Sequence, residues 1–142
     1  MALSRRERER FLAEPHIGAL SVVERRDRAP LTIPIWYQYL PGAELWVRTL
    51  PDSRKARAIR SAGRFSLMAQ RTRPTVRYVS VEGPVSRVTP PSHQQAVEMA
   101  ARYLPHDKVD EFMEFEQTEI GELITIYMQP EHWISADLGG AF

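Results

Sequence analysis

Residues 48–68 read RTLPDSRKARAIRSAGRFSLM, and how this stretch folds decides the architecture of the chain. Arg48, Thr49 and Leu50 close an apolar run that begins at Leu45; Pro51-Asp52-Ser53 has turn and cap chemistry; Phe65 to Met68 opens a second apolar alternation. The pattern predicts one short helix between two strands, with Asp52 or Ser53 as N-cap and Gly63 as the stop. A cap oxygen satisfies a first-turn N–H, and glycine accepts the left-handed conformation that ends helices. Arg54, Lys55, Arg57 and Arg60 all fall on this helix. Cations in a first turn oppose the helix dipole, so Arg54 and Lys55 are locally unfavourable there unless an anion offsets them. With the Ser53 hydroxyl and the unpaired N–H groups of the first turn, they are the parts of a phosphate site. Arg57 and Arg60 are also i, i+3 neighbours, which a purely solvated face would carry, as would Arg64. Spacing alone leaves both readings open.

Working outward, Ser4 and Glu7 form a capping-box pattern that starts a helix ending before Pro15, with Phe11 and Leu12 as the edge of a lid on the core. HIGALSVVE and PLTIPIWYQYL are β-branched and aromatic runs on either side of the charged turn RRDRA, a hairpin signature. Pro34 lies inside the second run, which places that strand at an edge or at a bulge because proline has no N–H to donate. LWVRTL, RFSLMAQ and TVRYVSVEGPVSRV follow as strands, the last bent at Gly83-Pro84. Ser92 and Gln95 repeat the capping spacing before QQAVEMAARYL, PHDKVDEFMEFEQTE reads as a second helix, ELITIYMQP as a closing strand and EHWISADLGGAF as a tail. Six strands with short, mostly antiparallel connections and a few short helices indicate a small barrel or sandwich.

The 142 residues, 43% hydrophobic, suit a single domain over 1–142 with one sizeable core. A formal net charge of +1 lacks the basic excess of a duplex binder, so nucleic acid is not an expected partner. There is no cysteine, which excludes disulfides and thiol chemistry and fits a reducing cytoplasm. No apolar run reaches the roughly 20 residues of a membrane span, so no membrane partner is expected and a soluble, cytoplasmic protein is. Lys55 and Lys108 are the only lysines, an arginine bias that a GC-rich genome produces. His16, His93, His106 and His132 are dispersed without metal-ligand spacing, so no metal is expected. Asp110, Glu111, Glu114, Glu116 and Glu119 alternate with Phe112, Met113 and Phe115 as a solvated helix face would. Ser80 and Ser86 lack a nucleophile context, and no residue is assigned a catalytic role. Trp36, Trp46, Trp133, Tyr37 and Tyr78 serve either a core or a planar ring.

The order PLTIPIWYQY, ELWVRTL, SRKARAIRSAGRFSLM and YVSVEGPVSRV resembles the pyridoxamine 5′-phosphate oxidase-like split β-barrel family from about His16 to Val88; the closing strand and PEHWISADL match more loosely. The resemblance implies a mainly β fold with short helices, a six-stranded antiparallel split β-barrel of the FMN-binding kind. It implies a homodimer with a flavin or deazaflavin in a groove between subunits. By the same resemblance Thr49, Ser53, Lys55 and Arg57, with Arg54 beside them, match the cofactor-phosphate positions, and Pro34, Trp36 and Tyr37 match the strand along the ring system. The chain is shorter than true pyridoxamine phosphate oxidases and has no C-terminal substrate-phosphate motif, so it is more similar to the short actinobacterial branch that uses coenzyme F(420). The implied activity is hydride transfer from the reduced deazaflavin to a small conjugated acceptor, quinone-like or tetrapyrrole-like. The alternatives are an FMN-dependent oxidoreductase and a non-catalytic flavin or haem carrier. His132 and Trp133 in the tail have no assigned role.

Overall fold

The computed structural model describes residues 1–140. Its strands are β1 (Gly18–Val22), β2 (Leu31–Ile35), β3 (Tyr37–Gln38), β4 (Leu45–Thr49), β5 (Arg64–Arg71), β6 (Arg77–Thr89), β7 (Ile124–Met128) and β8 (His132–Asp137). Its helices are α1 (Arg5–Ala13), α2 (Arg54–Ala62), α3 (His93–Tyr103) and α4 (Val109–Phe115). Every pairing is antiparallel, in the order β2-β1-β5-β6-β7-β4-β3, with β8 on β6. The two ends of that path, β2 and β3, are one extended run interrupted only at Trp36, so the chain itself closes a six-stranded split barrel.

Two runs serve both halves of the barrel. β2 pairs with β1 as far as Ile35 opposite Gly18, and β3 then takes up β4 with Tyr37 opposite Val47. β6 pairs with β5 and β8 over its first part and with β7 from Val85, where the register shifts between Val85 and Arg87. Gly83 marks that bend because a Cβ there would lie 1.8 Å from the Gln129 carbonyl oxygen. The link from β7 to β8 crosses on it, with Gln129 N–H donating to Pro84 O and Glu131 N–H to Glu82 O. Pro34 sits opposite Ala19 on β2, the end of the path, where its missing N–H breaks no further ladder.

Alternation fills the barrel. Leu20, Val47, Leu67, Val79 and Met128 point inward with Tyr37, while Ile59 of α2 and Phe11 and Leu12 of α1 close the interior. Truncating one such aliphatic side chain to alanine costs about 2–5 kcal/mol. α1 begins with the expected capping box: Ser4 Oγ accepts from Glu7 N–H at 3.2 Å and Glu7 Oε1 from Ser4 N–H at 2.9 Å. At α3 the box is half-made. Ser92 Oγ accepts from Gln95 N–H, but the Gln95 amide reaches across to the Thr125 and Tyr127 hydroxyls instead of back to the cap.

Outside the barrel the two halves differ. α3 lies over β3, β4 and β7, where Trp46, Met99 and Tyr127 form a second cluster with Trp36 and Tyr103. Across the other half, the outward positions Pro34, Ala19, Met68, Ser80 and Ile134 fall in one row over β2, β1, β5, β6 and β8. That row is open to solvent in the single chain, with Ile134 68% exposed.

Two expectations are corrected. EHWISAD is not a tail: His132–Asp137 is β8, paired with Arg77–Glu82 of β6, and Phe142 and Ala141 at its end lie outside the described residues. The helix expected over 105–119 is broken into a 3₁₀ turn at His106–Lys108, α4, and a π turn at Glu116–Ile120. Glu116, at the start of the wider winding, is 5% exposed and forms a bidentate pair with Arg48 at 2.9 and 2.9 Å. Only Asp110, Glu111, Glu114 and Glu119 are on the solvated face.

Candidate functional site

α2 is entered as the sequence predicts. Ser53 is the N-cap, its Oγ accepting from Ala56 N–H at 3.1 Å, and Gly63 ends the helix at φ 75°. Thr49 at the end of β4 is buried, and its Oγ1 bonds Ser53 Oγ at 2.7 Å, so strand and cap are locked together. The first helical backbone bond runs from Arg57 N–H to Ser53 O. With Ala56 N–H taken by the cap, the N–H groups of Arg54 and Lys55 have no helical acceptor and are available to an external anion.

The charges around this turn are not equivalent. Arg54 is held in the single chain by Glu24, just past β1, through two bonds of 2.7 Å. Arg54, then Arg28 and Arg57, hold the Glu24 carboxyl below its ordinary range. Among the described residues only Arg54 contacts Glu24, so the cations of Lys55 and Arg57 are left uncompensated at the turn. Lys55 and Arg57 have no ion-pair partner among the described residues, and Lys55 is half-buried. Arg60 donates to Pro51 O at 3.2 Å and braces the turn from behind.

Along the open face, a groove of about 570 Å³ is lined by Ile17, Ala19, Thr32, Pro34, Met68 and Gln70. It is largely apolar with a few polar groups, a composition common among small-molecule pockets. Glu24 and Arg54 stand beyond the Val22–Leu31 end of the β1–β2 pair, and Pro34 is three residues from Leu31. The groove lining begins at Thr32, next to Leu31, so the basic turn lies toward one end of the groove. A smaller cavity, about 160 Å³ beside the Arg48–Glu116 pair, contains none of the predicted site residues.

The structure brings Thr49, Ser53, Arg54, Lys55 and Arg57 together on one turn and puts Pro34 in the groove. Trp36 stands outside the barrel, its ring stacked on Tyr103 at 4.8 Å and 16° with Phe112 at 5.2 Å. Tyr37 points the other way: it is fully buried, its hydroxyl donating to Leu12 O at 2.7 Å, and burial pushes its ionisation well above the ordinary range. Its backbone is buried as well, with N–H and carbonyl both engaged by the Tyr103 hydroxyl, so Tyr37 offers a ligand no exposed surface in the single chain. Trp133 packs on the core from β8 under the Arg8 guanidinium, 4.6 Å from the ring centroid, while His132 is exposed beside Glu82. Sequence reasoning missed Glu24, which lies in a charged turn with no motif, and Met68 and Gln70, which the period-two alternation of RFSLMAQ does contain.

The class the structure defines is a mainly β split barrel with a basic helix turn beside one end of an open, largely apolar groove. The family model for pyridoxamine 5′-phosphate oxidase matches residues 4–131, and the chain belongs to that family. No curated protein matches significantly. Among solved structures, the chain is similar to an F(420) reductase at 23% identity and TM-score 0.68, over 89% of this chain and 94% of that one. It is similar to an FAD-binding protein of Mesorhizobium loti at 17% identity and TM-score 0.62, over 96% and 95%. A haem-binding protein of Mycobacterium smegmatis matches at 14% identity and TM-score 0.60, over 97% of this chain and 59% of that one. These likenesses establish the fold. Among the described residues no helix is long and apolar enough to cross a membrane, and no cluster of metal-ligating side chains occurs.

Proposed function

We propose that this protein is an oxidoreductase that binds the deazaflavin coenzyme F(420) and passes hydride to a small conjugated acceptor. The observation that carries this reading is the convergence of two free N–H groups, Lys55 and Arg57 at the head of α2, toward the Leu31 end of the strand pair that lines an apolar groove. A phosphate fits the turn, and a flat ring fits the groove. When bound, the cofactor supplies the hydride chemistry. The chain's part is to anchor the phosphate through Ser53, Lys55 and Arg57, with Arg54 competing between it and Glu24, and to lay the ring along β2 at Pro34, next to the break at Trp36. The likeness to an F(420) reductase favours the deazaflavin. FMN would use the same donors and is the second reading.

The open row from Pro34 to Ile134 supports a homodimer. Its small side chains offer a flat apolar face, and a second copy laid on it would close the groove from above. A carrier that binds a planar ligand without turnover is a third reading. It is favoured by His132 standing exposed at the rim of that face and by the likeness to a haem-binding protein.

Titrating purified protein with F(420), FMN and haemin while following ring absorbance separates the three. We expect saturable F(420) binding, and Lys55→Ala to weaken it by about 1–3 kcal/mol, the loss of one charge-assisted bond to phosphate, with thermal stability unchanged. If FMN alone binds and cycles with oxygen, the F(420) assignment falls. If Lys55→Ala binds every ligand as the parent does, the basic turn is structural.

A further inference from the structure

Where β2 gives way to β3, the barrel has a gap that one side chain from outside fills. The β1–β2 register pairs Ala19 with Pro34 and Gly18 with Ile35; continued along both strands, it would set His16 opposite Tyr37. Those two residues do not meet. The Tyr103 hydroxyl, at the end of α3, stands where that rung would form. It accepts from Tyr37 N–H at 3.1 Å and directs its own proton at His16 O, 2.8 Å away, and Tyr37 O, 3.0 Å away. On its other edge Tyr37 is already a rung with Val47 of β4.

Both sides of this gap are fixed independently. Next to Tyr103, Arg102 donates to Ala13 O and Glu14 O at 2.8 Å each, pinning the segment that leads into β1. The Tyr103 ring stacks on Trp36, the residue at the break. One residue therefore holds the backbone at Tyr37 by its hydroxyl and the side chain at Trp36 by its ring. Without the hydroxyl, a buried N–H and a carbonyl lose their partner, and the nearest replacement is the direct His16–Tyr37 rung that would zip β2 onto β1.

We propose that Tyr103 is a positioning residue whose hydroxyl wedges β1 and β3 apart, and that the wedge sets the Pro34–Trp36 backbone on which the ring lies. The second half of this statement rests on the proposed cofactor reading; the first does not. α3 thereby acts on the groove without touching it.

Amide exchange by NMR and FMN titration test the two halves separately. In the parent, Tyr37 N–H is expected to exchange as slowly as its ladder neighbours in β4; exchange as fast as that of a loop amide overturns the wedge without any variant. In Tyr103→Phe, which keeps the ring stack, Tyr37 exchange is expected to rise by about tenfold or more while β5 and β6 amides stay protected. FMN affinity should fall by about fivefold to twentyfold with a shifted absorbance maximum, and inorganic phosphate affinity should not change. Phe112→Leu, which loosens the other face of Trp36, should leave Tyr37 exchange and the FMN spectrum as in the parent. If Phe112→Leu reproduces the Tyr103→Phe changes, packing and not the hydroxyl positions the strand. If Tyr37 exchange accelerates with FMN affinity and spectrum intact, the link from wedge to ring is overturned. A parent that binds neither FMN nor F(420) overturns the cofactor reading, and the exchange arm still decides the wedge.

Discussion

The outer faces of the two half-sheets share one interior and have opposite chemistry. On β4 and β7 the outward side chains are Trp46, Arg48, Thr125 and Tyr127, and all lie under α3 or the π turn. On β1, β5 and β6 they include Ala19, Ser21, Met68 and Ser80, with Gln70, Tyr78 and Glu82 beside them, and these positions are at least partly open in the single chain. Large aromatics and a buried ion pair require a cover of the same chain, since each exposed ring or unpaired charge would cost the fold. The open face mixes short side chains with Met68, Tyr78 and Ile134 and is stable with these partly in water. The covered face is thus the place to look for stability, and the open face the place to look for ligands.

The sharpest test on the covered side is Glu116→Ala. Arg48 and Glu116 are each 7% exposed, so removing the carboxylate strands a buried guanidinium whose Nε already lacks a partner. We expect a loss of about 3–5 kcal/mol by urea unfolding, with the double variant Arg48→Met/Glu116→Leu recovering most of it. Gly83→Ala acts on the bend that divides the faces; its methyl would meet the Gln129 carbonyl, and about 3 kcal/mol should be lost, again read from the urea midpoint. An unchanged midpoint would mean that the crossing chain moves aside freely.

On the open side, Ser80→Arg should change unfolding stability by less than about 0.5 kcal/mol. The parent is expected to sediment as a dimer at micromolar concentration and the variant as a folded monomer. A parent that is monomeric throughout would leave the open face to ligand alone. The smallest effect is at the rim, where the Thr75 hydroxyl, the Gly139 N–H and the Arg77 guanidinium hold Asp137 at about 2 from an ordinary 3.8. Because the folded value is the lower one, this contribution is fully present above pH 3.8 and fades as pH falls toward 2. Asp137→Asn should flatten the acid limb of the stability profile over that interval and leave neutral pH behaviour nearly as it was.

The sequence announced what is local. Ser53 and Gly63 delimit α2, Gly83-Pro84 marks a bend, and period-two alternation gives six strands. It hid what depends on distant partners. β8 has only Trp133 and Ile134 as large apolar positions and exists because β6 offers it an edge. Glu116 belongs to an acidic run by composition, but a change of helical winding turns it toward Arg48, and no residue in that run signals the change. The basic turn was readable because cap, hydroxyl and cations are contiguous. Tyr37 was readable as either a core or a ring-contacting aromatic, and the choice between them was not, because the break at Trp36 decides which neighbour faces inward.

Closure of the barrel also orders its assembly in time. β1, β2, β5 and the first part of β6 can pair as each leaves the ribosome, since every partner is already made or comes next. β4 cannot join them. Its only link to the rest, apart from the two residues of β3, is β7, which is translated after both α3 and α4. The β3–β4 pair therefore waits, with Trp46 and Val47 lacking their β7 partners, until Ile124–Met128 emerges. That long-range rung is the slow step topology imposes on folding, and the waiting segment is the one a chaperone would meet.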